Sequence, residues 1–262
     1  MTINSFIKSL FLFYCLSIFY PYMGFLSAQD SFYDLTANGT DPTEIRSRMD
    51  LYFVQVTSRA SRDLFGSQLS GDYALSKNLS AGIDLPYIHT ELSGGRIGAG
   101  IGDIALRGLL NIYRRDHDRY LKSSAIGIKL VLDTGSADEG TGDGKYAVAP
   151  NIAATYTLAD EFFLSPVIEL FSTFGGDSTA VDIHELHIKL LTVITFSEGI
   201  WISLRPELII DLTGEFQASY PLRTIVGIML SENFGLSAQY THFLAGDERV
   251  NYFANVDLRY LF

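Results

Sequence analysis

The chain has one cysteine, Cys15, and that residue lies in an apolar stretch near the N-terminus. The rest of the sequence therefore has no disulfide framework and no thiol chemistry. Tryptophan occurs once and proline only seven times in 262 residues. Basic residues are also in the minority, 19 against 30 acids, for a formal net charge of -11. No basic stripe is present to displace counterions from phosphate, which argues against nucleic acid as a partner. Charged residues make up only 19% of the chain and hydrophobic ones 47%. Yet beyond residue 28 no apolar run reaches the roughly 18 residues of a membrane-spanning helix. High hydrophobicity without helical spans is the first positive clue. Abundant Gly, Tyr and Phe (23, 15 and 18) point towards β structure.

The N-terminus carries an export pattern. Lys8 is the only charge before position 30, Leu10 to Leu26 is apolar, and Ser27-Ala28 supplies small residues before Gln29-Asp30. Residues 1–28 are read as a cleaved secretory signal. Residues 29–45 are polar and irregular, with Asn38-Gly39 and Asp41-Pro42. They form either a periplasmic leader or a plug in the lumen of the domain spanning 46–262.

From 46 to 262 the hydrophobic period is two. In 101–113, Ile104, Leu106, Leu110 and Ile112 share one face while Asp103, Arg107 and Asn111 share the other. In 122–133, Ile126, Ile128, Leu130 and Leu132 oppose Ser123, Gly127, Lys129 and Asp133. Twelve such segments succeed one another: 47–57, 64–75, 79–89, 101–113, 122–133, 147–158, 162–174, 184–196, 200–211, 218–230, 234–244 and 250–262. The two faces of the first look alike. Their connections alternate between short turns (Ser76-Lys-Asn78, Ala159-Asp-Glu161, Ser197-Glu-Gly199, Ser231-Glu-Asn233, with Arg114 to Leu121 as a longer, charged member) and mostly longer loops (59–63, 90–100, 134–146, 175–183, 212–217, 245–249). That is the organisation of an all-β fold: a transmembrane antiparallel up-and-down β-barrel of twelve strands, with short periplasmic turns and longer outer loops. Outward-parity aromatics fall in two rims, Tyr156, Phe162, Phe196, Phe234 and Tyr260 beside the short turns, and Tyr87, Phe174, Tyr220, Tyr240 and Tyr252 towards the other end. Such rims suit the two membrane interfaces. The last strand alternates through Leu258, Tyr260 and a terminal Phe262, which resembles the assembly signal that bacterial outer-membrane barrels present to their insertion machinery.

Three stretches carry a further resemblance: Gly100-Ile-Gly-Asp103-Ile-Ala-Leu-Arg107, then Asp133-Thr134-Gly135, then Gly140-Thr-Gly-Asp-Gly144-Lys145 with Pro150. Together they resemble the "MetA-pathway of phenol degradation" family, in which a proline usually stands where this chain has Asp133. The resemblance implies an outer-membrane channel that passes small, often aromatic or hydrophobic molecules.

The inward parity holds Asp84, Asp103, Arg107, Lys129, Asp133, Glu169, His187, Lys189, Arg205, Glu207, Asp211, Arg223, Asp257 and Arg259. Both signs are present in near balance. This suits either a narrow polar conduit, with Asp103, Arg107, Arg205 and Glu207 at its narrow zone, or interior salt bridging that only stabilises the barrel. The expected function is passive diffusion of a small solute through a monomeric barrel in outer-membrane lipid, without a cofactor or bound metal and without catalysis. The alternatives are a closed structural or surface-interaction barrel and an outer-membrane lipid hydrolase built on His242. The hydrolase needs a partnering serine, and 250–262 contains none. By strand alternation His184 and His187 point to opposite faces, which disfavours a shared metal.

Overall fold

The computed structural model describes residues 41–262 apart from 59–62, 93–95, 116–119, 160–161, 197–199, 215–216 and 247–249. The expected signal peptide and most of the leader lie outside the described residues.

Strands β1 (Arg48–Ser58), β2 (Asp63–Ser76), β3 (Leu79–Leu92), β4 (Arg96–Ile101), β5 (Ala105–Arg114), β6 (Leu121–Val131) and β7 (Tyr146–Ala159) run in chain order. They continue as β8 (Phe162–Phe174), β9 (His184–Thr195), β10 (Ile200–Asp211), β11 (Ala218–Ser219), β12 (Pro221–Met229), β13 (Phe234–Phe243) and β14 (Val250–Leu261). β4 and β5 are two parts of one stave: β3 pairs with β4 through residues 87–92 and with β5 through 79–84. β11 and β12 likewise share β10. The result is twelve antiparallel staves. β14 pairs with β1 from Arg48↔Leu261 to Ser58↔Val250, which closes the ring. Closure leaves no sheet edge, the condition for a sheet to sit in lipid with its backbone groups paired.

The polarity of the two faces is inverted relative to a soluble barrel. Leu106, Leu110, Ile126, Ile128, Ile188, Leu190, Ile194 and Leu204 all point outward and are exposed. Asp50, Asp84, Arg107, Lys129, Lys189, Arg205, Glu207, Asp257 and Arg259 point inward and are buried. Tyr156, Phe196, Phe234 and Tyr260 are exposed at the short-turn rim, and Tyr87, Phe174 and Tyr220 at the long-loop rim. An aliphatic band between two aromatic rims is what a bilayer-facing surface requires.

Two expectations change. The connection 90–100 is mostly strand, because β3 runs on to Leu92 and β4 begins at Arg96. Its alternation of Ile97 and Ile101 with Gly98 and Gly100 is a strand period that its small residues disguised as loop. The ambiguous first segment also resolves: Arg48, Asp50, Tyr52, Val54 and Val56 are buried inside, and Met49 and Phe53 point out.

The interior carries three apolar groups. Tyr52, Val54, Val56, Leu64, Ile88 and Phe253 pack together towards the long-loop rim of β1, β2, β3 and β14. Ala105, Val131, Ala147, Ala149 and Phe171 form a second apolar group. Leu191, Val193, Trp201 and Ile225 form a third, towards the short turns of β9, β10 and β12.

Candidate functional site

Strand alternation and register bring the interior charges into two groups. On β1, β2, β3, β5 and β14, Arg48 meets Asp50 at 3.1 Å and Asp72 at 2.8 Å. Arg107 meets Asp72 at 3.2 Å and Asp84 at 3.1 Å. Arg259 meets Asp50 at 2.6 Å and Asp257 at 3.1 Å. The Ser70 hydroxyl donates to Asp84 at 2.6 Å, and Ser237 to Asp257 at 3.2 Å. Acids and bases alternate through this group, so each buried charge faces an opposite one. A buried charge left alone is costly, of the order of 3–5 kcal/mol when one partner is removed.

The second group lies across the lumen on β8, β9, β10 and β12. The Lys189 Nζ is 3.1 Å from Glu169 and 3.9 Å from Glu207, and Arg223 is 3.6 Å from Glu207. His187 places Nδ1 2.7 Å from Glu207 and Nε2 3.0 Å from Glu185. Both ring nitrogens thus lie within hydrogen-bond distance of a carboxylate oxygen. Because the two carboxylates sit against different ring nitrogens, the trio does not converge on one ion.

Between the groups lies an interior cavity of about 50 Å³, room for a few water molecules. Of the expected site residues, Arg107, Lys129, Glu169, Lys189 and Arg205 line it. Asp84 and Glu207 instead hold Arg107 and Lys189 without lining the cavity. Arg48 and Asp72, which parity reading passed over, also line it. The signal that could have found them is the pairing of opposite charges across neighbouring strands: Arg48↔Asp72 follows from the β1–β2 hairpin register, and Asp50↔Arg259 appears only once the register that closes the ring is known.

Both ends of the lumen carry an inserted segment. Near the short-turn rim, Asp41 and Thr43 are fully buried. Thr155 and Thr43 donate their hydroxyls to Asp41 Oδ1, both at 2.7 Å, and the Lys122 ammonium donates to Asp41 Oδ2 at 2.9 Å. The Thr43 hydroxyl contacts those of Ser123 and Thr155, and the Asn111 amide donates to the Thr43 carbonyl at 2.9 Å. Burial pushes the Asp41 carboxyl up. The Lys122 charge and the hydrogen bonds from Lys122 and Thr43 outweigh it and hold the group below its ordinary value. Residues 41–43 therefore sit inside the barrel against β5, β6 and β7.

At the long-loop rim the decisive residue is Asp103. It was expected at a mid-lumen narrow zone, but it occupies the break between β4 and β5 and anchors a loop. Its Oδ1 accepts from the backbone N–H of Thr134 (3.0 Å) and Gly135 (2.7 Å), and its Oδ2 from Asp143 (3.0 Å). Thr134 in turn donates to the Gly102 carbonyl and accepts from the Ile104 N–H. The loop then passes so close to β4 that a Cβ on Gly98 would collide with the Glu139 carbonyl oxygen. Asp133 belongs to this loop, where burial and the nearby Asp103 and Asp177 raise its carboxyl above the ordinary range. Asp211, expected among the inward-facing lumen charges, does not line the cavity. It ends β10 and accepts from the Thr213 N–H at 2.7 Å, closing a turn.

Leu258, Tyr260 and Phe262 sit on the last stave and after it. The Tyr260 and Phe262 rings meet edge-on at 5.0 Å and are exposed. His242 is outward on β13 opposite Tyr252 of β14, a strand without serine.

The three motif stretches thus converge on one latch: Gly100–Asp103, Thr134-Gly135 and Gly140–Gly144. The "MetA-pathway of phenol degradation" family model matches residues 30–255. The chain belongs to this family. Among solved structures, it is similar to the COG4313 outer membrane channel from Pseudomonas putida F1, at 16% identity and a TM-score of 0.66, over 85% of this chain and 100% of that one. It is also similar to the NanC porin (6% identity, TM-score 0.59, 81% and 98% covered) and the KdgM porin (8%, 0.56, 82% and 99%). At these identities the likeness is one of fold. No curated protein sequence matches the chain.

Proposed function

We propose that this family member is an outer-membrane channel that passes small solutes, aromatic or hydrophobic ones among them, by passive diffusion. The observation that carries the reading is the inversion of polarity: a closed twelve-stave barrel, aliphatic outside and charged around an internal cavity. The fold shared with an outer membrane channel and two porins supports it. In this reading the short-turn rim faces the periplasm, residues 1–28 are removed on export, and Leu258, Tyr260 and Phe262 are read by the assembly machinery. The barrel works as a monomer without catalysis. Arg107, Lys129, Glu169, Lys189 and Arg205 line the narrow passage, with Asp84, Glu207 and Arg223 fixing their positions.

A second reading, a closed barrel with a structural role, draws on the two inserted segments at opposite ends of the lumen. Single-channel recording separates the two. Refolded residues 29–262, with heat-modifiable migration as proof of folding, should give steady current steps in a planar bilayer. Those steps should change in size or ion preference with Arg107→Gln or Arg205→Gln. A folded barrel that stays silent, with and without residues 29–45, would leave the structural reading standing.

A further inference from the structure

The charge around the cavity is opposite in sign to that of the protein. The chain carries a net -11. The cavity is lined by Arg46, Arg48, Arg107, Lys129, Lys189 and Arg205, and against these six bases stand only Glu44, Asp72 and Glu169. The remaining acids of the interior lie elsewhere. Asp50 and Asp84 touch Arg48 and Arg107, and Glu207 touches Lys189 and Arg223, none of the three acids lining the cavity. The arrangement holds basic groups towards the space and places several neutralising carboxylates behind them. Such a surface favours an anion, because a carboxylate there replaces water around groups that are already fixed in position.

The same space has an apolar side. Leu109, Ala153, Val167 and Leu191 line it beside the bases. An inorganic anion would leave these side chains facing a strongly hydrated ion, and a neutral hydrocarbon would take water from the charges without replacing its hydrogen bonds. A molecule that satisfies both sides has one anionic group and a short apolar body. We propose that the lumen cavity is a saturable binding site for small amphipathic organic anions, namely short-chain or compact carboxylates. The site lies in the passage described above, and its role as a transit site rests on the channel reading. Its occupancy does not, because binding is measurable without flux.

The reporter is built in. Trp201 is the single tryptophan of the chain, and it packs in the same cluster as Leu191 of the cavity wall. The test titrates the folded, detergent-solubilised barrel with butyrate, butylammonium, butanol and acetate, following Trp201 fluorescence and heat by calorimetry. Butyrate should bind saturably, about tenfold or more tighter than butylammonium or butanol, since a charged hydrogen bond is at stake. It should also bind more tightly than acetate, which lacks the apolar body. Arg107→Gln and, independently, Lys129→Gln should each weaken butyrate about tenfold while leaving butanol unchanged. Each variant is checked for heat-modifiable migration, so loss of fold cannot pass for loss of binding. Equal binding of butanol, preference for butylammonium, or equal affinity for acetate would each overturn the proposal. Liposome swelling in the same solutes separates it from the channel reading. Saturable butyrate binding without swelling keeps the site and removes the channel. Swelling without saturable butyrate binding keeps the channel and removes the site.

Discussion

The two inserted segments that narrow the lumen are held by different chemistry. At the long-loop rim, one buried carboxylate, Asp103, collects three backbone N–H groups of the loop 132–145. At the short-turn rim, residues 41–43 are held mainly by side chains: hydroxyls of Ser123 and Thr155, the Asn111 amide and the Lys122 ammonium. Backbone donors do not depend on which residue carries them. The outer closure therefore needs only its acceptor and the small residues that let chains approach, and it forms a compact motif. The inner closure needs particular side chains scattered over β5, β6 and β7. It also has one charged contact that is reached by solvent, since the Lys122 side chain is 35% exposed. The first depends on one acceptor, the second on several separate side chains.

The sharpest way to break this contrast is Asp103→Ala. Hydrogen bonds to a charged group contribute about 1.5–3 kcal/mol each and do not add simply. Losing three should lower the cost of opening the loop by about 3–5 kcal/mol. Limited proteolysis of the folded barrel should then cut within 134–145 far faster than in the parent, with Asp103→Asn in between. An unchanged rate in both variants would show that something else holds the loop.

Gly98→Val tests the same loop from its other side. A Cβ there runs into the Glu139 carbonyl oxygen, and overpacking of this kind costs about 1–3 kcal/mol. Loop cleavage should rise, less than for Asp103→Ala, while cleavage near residue 41 stays as it was. Lys122→Met probes the inner segment. The exposure of Lys122 limits its ion pair with Asp41 to about 1 kcal/mol. Proteolysis around 41–47 should increase about fivefold, and the outer loop should not respond. A coupled response of both ends to either change would contradict their independence.

How far the sequence exposed this arrangement depends on the kind of interaction. The staves 162–174 and 200–211 were readable to the residue, because strict alternation against lipid leaves no other register. The stave at 48–58 was not, since Phe53 outside and Val54 inside are both apolar and parity alone cannot choose between them. The glycines and Asp103 stood out as a motif, yet parity placed Asp103 with the lumen charges. Its partners are backbone groups 31, 32 and 40 residues away, and a pattern of side chains does not show them. Asp50 gained its partner Arg259 only when β14 closed on β1, while Arg48 and Asp72 face each other across the first hairpin. Thr43 and its contacts on β5, β6 and β7 left no trace, since single hydroxyls at wide spacing look like ordinary strand residues.

The smallest expected effect concerns acid and the inner segment. Docking places Asp41 beside Lys122 and Thr43, and the docked carboxyl titrates below its ordinary value of 3.8. A group whose value is lowered by docking favours the docked state when ionised. Its contribution is complete above the ordinary value and is lost as pH falls through the lowered one. Between about pH 5 and 9 the exposure of residues 41–47 to a small labelling reagent should therefore be flat, as far as this group is concerned. It should rise only in stronger acid, through the range below the ordinary carboxylate value. Asp41→Asn keeps an oxygen that can accept from Thr43 and Thr155 but removes the charge that Lys122 answers. It should raise the baseline exposure slightly and abolish the acid step. If the step survives in Asp41→Asn, another carboxyl of the segment is responsible.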